Sequence, residues 1–209
     1  MDPWGTRGNS LVSDSRIYVE GGGNTNELRT RCREAITKLL TNTGFAGRLP
    51  RIVACGSRNE AYADFAVAVS KGTTGFVALL IDSEDPISDV EETWQHLKLR
   101  DGWDQPEHTS DEQVFFMTTC METWLVVDRN ALRDYYPGCL QETLLLSNVN
   151  LEGRDRHAVQ LSLENATRQC VVPYLKNKHS FALLGRLGPD SLQSLPSFAR
   201  MRNILNSKL

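Results

Sequence analysis

Apolar and polar positions follow two periods along this chain. Four short runs read as strands: Arg16–Glu20, Arg51–Cys55, Phe76–Asp82 and Gln113–Thr118. The third is continuously apolar up to its closing aspartate, as a central parallel strand covered on both faces would be. Between these runs apolar residues recur at helical spacing. Leu28, Cys32, Ala35, Ile36, Leu39 and Leu40 line one face of a helix that Asn24 or Asn26 would cap. Ala61, Phe65, Ala66 and Val69 do the same over Asn59–Ser70, and Trp94 and Leu97 mark a helix late in Pro86–Leu99. Arg100–Glu112 is polar and reads as an exposed loop. Cys120–Val127 and Asn130–Tyr135 look helical. After Pro137 strand signals fade, and Arg154–Gln169, Pro173–Leu184 and Asp190–Asn206 read as helices.

The βαβαβαβ order predicts an α/β fold with a mostly parallel sheet flanked by helices and a C-terminal helical extension. The expected division is an N-terminal arm over 1–15, an α/β core over 16–137, and a helical extension over 138–209 packed on the core. In an open α/β sheet, ligands bind outside the carboxyl ends of the strands. Two of the predicted strands end there in acids, at Val19-Glu20-Gly21-Gly22-Gly23 and at Ile81-Asp82-Ser83-Glu84-Asp85.

Composition narrows the possibilities. A chain of 209 residues suits one domain with an extension. The net charge of −3 gives no global basic signature, so a nucleic-acid role would need local basic patches or a partner's surface. Cys32, Cys55, Cys120, Cys139 and Cys170 are widely spaced without a CxxC pair. That spacing argues against a disulfide framework or structural zinc, and for a reducing cytoplasm. No apolar run approaches the ~18 residues of a membrane span, and the first residues have no hydrophobic signal core.

Carboxylates gathered at one sheet edge repel one another. A hard divalent cation such as Mg²⁺ or Mn²⁺ removes that repulsion and acts naturally on phosphates. Glu20, Asp82 and Glu84 are the leading candidate ligands. Asp85 and Glu122, which closely follows the fourth strand, are further ones. Glu20 is also a candidate general base. Gly21 and Gly22 would let backbone approach a phosphate. The turn is not a nucleotide loop, because no GK[ST] follows and position 26 is Asn. In Tyr174-Leu175-Lys176-Asn177-Lys178-His179, Lys176 is a candidate phosphate contact, and Lys178 and His179 could stabilise or protonate a departing oxygen. Arg58 is another candidate phosphate contact. Each of these has a plainer reading as a solvated turn, a helix N-terminal acid or a surface lysine.

Val19-Glu20-Gly21 followed by Asp82-Ser83-Glu84 resembles the Toprim domain of topoisomerases, primases and several nucleases. The second acid of the DxD-like segment is Glu84 rather than Asp. The wider set VEGGG at 19–23, PRIVACGSR at 50–58, LLIDSEDP at 79–86, HLKLRDGW at 96–103, METW at 121–124 and KNKHSFALLG at 176–185 resembles an uncharacterised bacterial family with a Toprim-like core. That resemblance implies a Mg²⁺- or Mn²⁺-dependent nuclease, the effector of an antiphage system. It also implies an ABC/AAA-type ATPase subunit as partner, with any oligomer formed through it. The rival expectations are a non-catalytic module binding an ATPase or nucleic acid, and a phosphatase or phosphotransferase acting on a small nucleotide.

Overall fold

The structure, a computed structural model, describes residues 14–72 and 74–209. Of the arm expected over 1–15, residues 1–13 lie outside the described residues. Asp14 and Ser15 are docked. Thr74 Oγ1 donates to Asp14 Oδ2 at 2.8 Å, and the Phe76 amide donates to the Ser15 hydroxyl at 3.1 Å.

The first half follows the expected order: β1 (Arg16–Gly22), α1 (Asn26–Leu40), β2 (Arg51–Gly56), α2 (Arg58–Ser70), β3 (Val77–Asp82), α3 (Thr93–Asp101) and β4 (Val114–Met117). The four strands are all parallel, in the order β2-β1-β3-β4. From β1 the chain moves outward to β2, whereas from β3 it moves outward to β4 on the other side. Connections therefore diverge at the carboxyl ends of β1 and β3. Such a switch point opens a crevice between two central strands, and Glu20 and Asp82 stand on either side of it.

Side chains alternate across the sheet, as a pleated strand requires. Ile17, Val19, Ile52, Ala54, Ala78, Leu80, Phe115 and Met117 join one core with α1. Tyr18, Cys55, Val77, Leu79, Ile81, Val114 and Phe116 join the other with α2 and α3. The cap of α1 differs by one residue from expectation. Thr25, not Asn24 or Asn26, caps α1 by accepting from the Leu28 amide, and Ser57 with Glu60 forms a capping box on α2.

The C-terminal half comprises α4 (Met121–Val127), α5 (Arg129–Tyr135), α6 (Arg156–Thr167), α7 (Ser180–Leu184), α8 (Pro189–Leu192) and α9 (Pro196–Lys208). It packs on the α1 face and shares a single core with it. Every residue of α4 is buried, and Trp124 meets Phe198 of α9 edge-on at 5.3 Å.

Two expected helices are shorter than their apolar pattern suggests. Pro173–Leu184 is helical only over α7. Asn177 takes a left-handed φ of 66°, and the Leu175 amide donates to His179 Nδ1 instead of to a helix carbonyl. Asp190–Asn206 breaks between α8 and α9, because Pro196 forces Leu195 into an extended conformation. The expectation of unpaired cysteines is also corrected: a disulfide joins Cys139 to Cys170. A scan for local spacing misses it, since the partners are 31 residues apart, on the segments that follow α5 and α6. Cys32, Cys55 and Cys120 are buried thiols.

Candidate metal centre

The site starts from an irregularity in β1. Glu20, Gly21 and Gly22 all face Gly56, so three residues of one strand oppose one of the next. Such a bulge bends the strand and re-aims its side chains. Glycine is required on both sides. Gly22 has φ 86°, and a Cβ there would lie 2.7 Å from Arg29 Cα. Gly56 has φ 95°, and a Cβ there would lie 2.8 Å from the Gly23 carbonyl oxygen. Turned by this bulge, Glu20 Oε2 accepts from the Asp82 amide at 3.2 Å across the crevice.

Glu20, Asp82 and Glu84 each offer a carboxylate oxygen, all within 4.8 Å of one another. Asp82 is buried, and its Oδ1 has no hydrogen-bond partner. Burial first, then the charges of Glu20 and Glu122, push the Asp82 carboxyl well above the usual range. Burial also raises Glu20, against the opposing pull of Arg58 and an amide hydrogen bond from Asp82. Glu84 sits at φ 70°, uncommon for a residue with a side chain, and its amide donates to the Thr119 carbonyl at 2.8 Å. Its carboxylate lies 3.4 Å from Arg100 and pairs closely with Arg156.

Behind these acids lies a second group. Glu122, on α4, is fully buried. It accepts from the Tyr174 hydroxyl at 2.8 Å and from Gln160 at 3.4 Å, and Lys176 stands 3.8 Å away. Lys176 interacts electrostatically with Glu122, Asp82 and Glu20 together, which raises its own pKa against the cost of burial. A cavity of about 240 Å³ opens here, lined by Glu20, Gly21–Gly23, Gly56, Asp82, Lys176 and Phe181 among others.

The remaining sequence candidates divide by geometry. Asp85 is outside the cluster, with its exposed carboxylate 3.0 Å from Arg100. Arg58 is half-buried and engaged: it pairs with Asp101 at 2.7 Å, stands 3.7 Å from Glu20, and donates to the Asp82 carbonyl. It braces the acids and is not an open phosphate contact. Lys178 is exposed and lines a separate groove with Arg31 and Lys38, on the other side of Phe181. His179 is buried, with Nδ1 occupied by the Leu175 amide. Of the three residues expected to bring cationic groups to the acidic edge, the structure brings Lys176.

Sequence reasoning missed Arg100, Asp101, Arg156, Tyr174 and Gln160. Tyr174 stands at the start of the basic stretch, and Arg156 and Gln160 fall within the predicted helix Arg154–Gln169. Arg156, Gln160 and Tyr174 reach their acids from distant elements, and Arg100 and Asp101, although inside the HLKLRDGW segment, meet Glu84 and Arg58 only across the fold.

A further acid, half-buried, backs the end of β4. Glu152 accepts from the Ser197 amide and hydroxyl at 3.2 Å, and that hydroxyl lies 2.8 Å from Thr118 Oγ1. Burial pushes the Glu152 carboxyl up to about 7. A folded-state pKa above the unfolded one means the native state holds the proton longer. The stabilisation is therefore full at pH below the unfolded value and is lost as pH rises through about 7. At 1.36 kcal/mol per unit, the swing is about 3 kcal/mol at most. Denaturant unfolding at pH 5 and pH 8 should show wild type losing more stability over that interval than Glu152→Gln. Equal losses would refute the assignment.

The chain belongs to the family described as a domain of unknown function (DUF4276), whose profile matches residues 19–206. No curated protein and no solved structure matches it.

Proposed function

We propose that this chain is a Mg²⁺- or Mn²⁺-dependent nuclease of Toprim-like type, the effector subunit of an ATPase-linked bacterial antiphage system. The observation that carries the metal site is the unpartnered, buried Oδ1 of Asp82, within a set of three carboxylates whose oxygens lie within 4.8 Å. Such a set needs either a proton or a cation, and hard oxygen donors suit Mg²⁺ or Mn²⁺. Glu20, Asp82 and Glu84 would hold the ion, with Glu122 behind them. A divalent cation supplies Lewis acidity toward a phosphoryl oxygen and makes water a stronger nucleophile.

The chain's own residues do the rest. The turn at Gly21–Gly23 carries no side chains beyond Cα, so a phosphate can approach its backbone. Lys176, on the wall of the same cavity, offsets charge on the phosphate and on a departing oxygen. Arg58 and Asp101 keep Glu20 and the Asp82 backbone in place. The partner, an ABC/AAA-type ATPase, rests on the family resemblance and on the lack of a nucleotide-binding loop in this sequence.

One observation favours a second reading. Glu84 is paired with Arg100 and Arg156, and Glu20 stands near Arg58. An ion-pair network of this kind stabilises a non-catalytic module that binds its partner without metal. The two readings separate in one experiment. Labelled single- and double-stranded DNA and RNA are incubated with Mg²⁺ or Mn²⁺, with and without a candidate ATPase partner. Glu20→Gln, purified in parallel, controls for contaminating nuclease. Metal-dependent cleavage by wild type and none by the variant is the expected result, stronger with the ATPase. No cleavage in any arm, together with no Mn²⁺-dependent shift in Tm, would favour the non-catalytic module.

A further inference from the structure

The chain is acidic overall, yet two of its segments are basic in composition. Helix α1 carries Arg29, Arg31, Arg33 and Lys38 against Glu27 and Glu34, and residues 171–189 carry Lys176, Lys178 and Arg186 with no acid at all. These two segments pack together, α1 against α7, beside the glycine turn. By sequence these segments hold seven cations and two carboxylates. Lys176 is turned to Glu122, Arg29 lies 3.9 Å from Glu60, Arg33 bonds Thr30 and Arg186 covers the Tyr135 ring, which leaves Arg31, Lys38 and Lys178 for the groove. A groove of about 320 Å³ runs between them, lined by Arg31, Glu34, Lys38, Lys178 and Phe181. Phe181 also lines the cavity of the acidic centre. The basic groove and the candidate metal centre therefore share a wall.

The cations of the groove are open to a ligand. Lys38 and Lys178 are exposed, and among the described residues neither lies within ion-pair distance of a carboxylate. Arg31 pairs with Glu27 at 3.1 Å, but both ends are solvent-exposed, and such a pair is weak and easily exchanged. With 15 residues, α1 is about 22 Å long at 1.5 Å per residue.

The geometry points to the α1–α7 groove as the surface that holds the phosphodiester backbone of nucleic acid and leads it to the acidic centre. This rests on the nuclease reading for where the strand ends, and on the charge distribution alone for where it lies. It gives Lys178 a role consistent with its position: a backbone contact outside the reacting centre. It also answers how an acidic chain grips a polyanion, since phosphate contacts supply most non-specific affinity and need only local cations. No residue lining the groove is an exposed large apolar side chain, and its aromatic, Phe181, is buried; Val171, Val172 and Leu175 of the same segment are exposed outside it, so the vesicle arm below tests a membrane directly.

The test is binding, read separately from cleavage. In the full chain carrying Glu20→Gln, fluorescence anisotropy follows a labelled oligonucleotide at low salt and at several salt concentrations. Lys38→Glu with Lys178→Glu is expected to raise Kd about tenfold or more and to lower the slope of log K against log salt by about 2. Lys38→Gln with Lys178→Gln should do the same more mildly, which guards against a folding defect in the reversed pair. Lys71→Glu, an exposed reversal outside the groove, should leave binding unchanged. Unlabelled poly-glutamate and anionic vesicles compete in further arms. No binding at low salt, binding indifferent to the Lys38 and Lys178 changes, or competition by poly-glutamate or vesicles equal to that by nucleic acid would each overturn the proposal. If these changes abolish binding while wild type never cleaves, the surface stands and the nuclease reading falls. If wild type cleaves and the changes alter neither binding nor rate, the nuclease reading stands and the surface falls.

Discussion

Asp82→Asn is expected to strengthen the metal-free fold and abolish its response to metal. Its carboxylate is buried, lacks a partner at Oδ1, and shares a 4.8 Å cluster with Glu20 and Glu84. Two charges at that separation repel by about 3 kcal/mol at an effective dielectric constant near 20. An amide of the same shape removes this and can donate toward Glu20, leaving a net gain of about 1–2 kcal/mol after the cost of imperfect hydrogen bonding. The pH dependence follows. The Asp82 carboxyl lies well above its usual value in the fold, so wild type without metal should lose stability as pH rises above the unfolded carboxylate value. The variant should lose less. With metal the order reverses. Mn²⁺ at 100 times its Kd should stabilise wild type by about 2.7 kcal/mol and leave the variant unmoved. Any Mn²⁺-dependent cleavage should fall by about 10³-fold, the scale of several kcal/mol of lost charge stabilisation. Thermal melts in chelator and in Mn²⁺ read both effects. A variant that is less stable in chelator and still shifts with Mn²⁺ would rule out Asp82 as a ligand.

The second large effect is on the Cys139–Cys170 bridge. The bridge closes a separation of 31 residues, and chain-entropy arguments give about 3–4 kcal/mol for a loop of that size. In a chain of this length that corresponds to roughly 10 °C in Tm. The double change Cys139→Ser with Cys170→Ser should therefore unfold at markedly lower denaturant, and wild type treated with a reducing agent should match it. The other thiols do not confuse the measurement, because burial pushes Cys32 and Cys55 up to about 12 and Cys120 higher still. The consequence reaches the site. The segment just after Cys170 carries Tyr174 and Lys176, both of which meet Glu122. Wild type whose stability is indifferent to complete reduction would contradict the prediction.

How much of this was legible in the sequence depends on the range of the interaction involved. The strand and helix periods, the parallel sheet and the acids closing β1 and β3 are local patterns. Each depends on burial of one face or on residues adjacent in the chain. Glycine at 22 and 56 was visible as composition, but the need for it came from the approach of Arg29 and Gly23. The helices at 173–184 and 190–206 were over-read because apolar spacing continues past points where the backbone cannot. Asn177 turns left-handed, and Pro196 fixes the residue before it.

The sequence by itself determined the α/β order, the two acidic strand ends and the helical tail, because those follow from periodicity and from residues a few positions apart. Tertiary structure alone decided which cation faces which acid. Lys176 and Lys178 are two residues apart, and the turn at Asn177 sends one to Glu122 and the other to the groove beyond Phe181. Arg156, Arg100 and Tyr174 reach the site from three further elements, and Cys139 reaches Cys170 across 31 residues. Pairings of this kind are fixed by the packing of whole elements, and no short window of sequence carries that information.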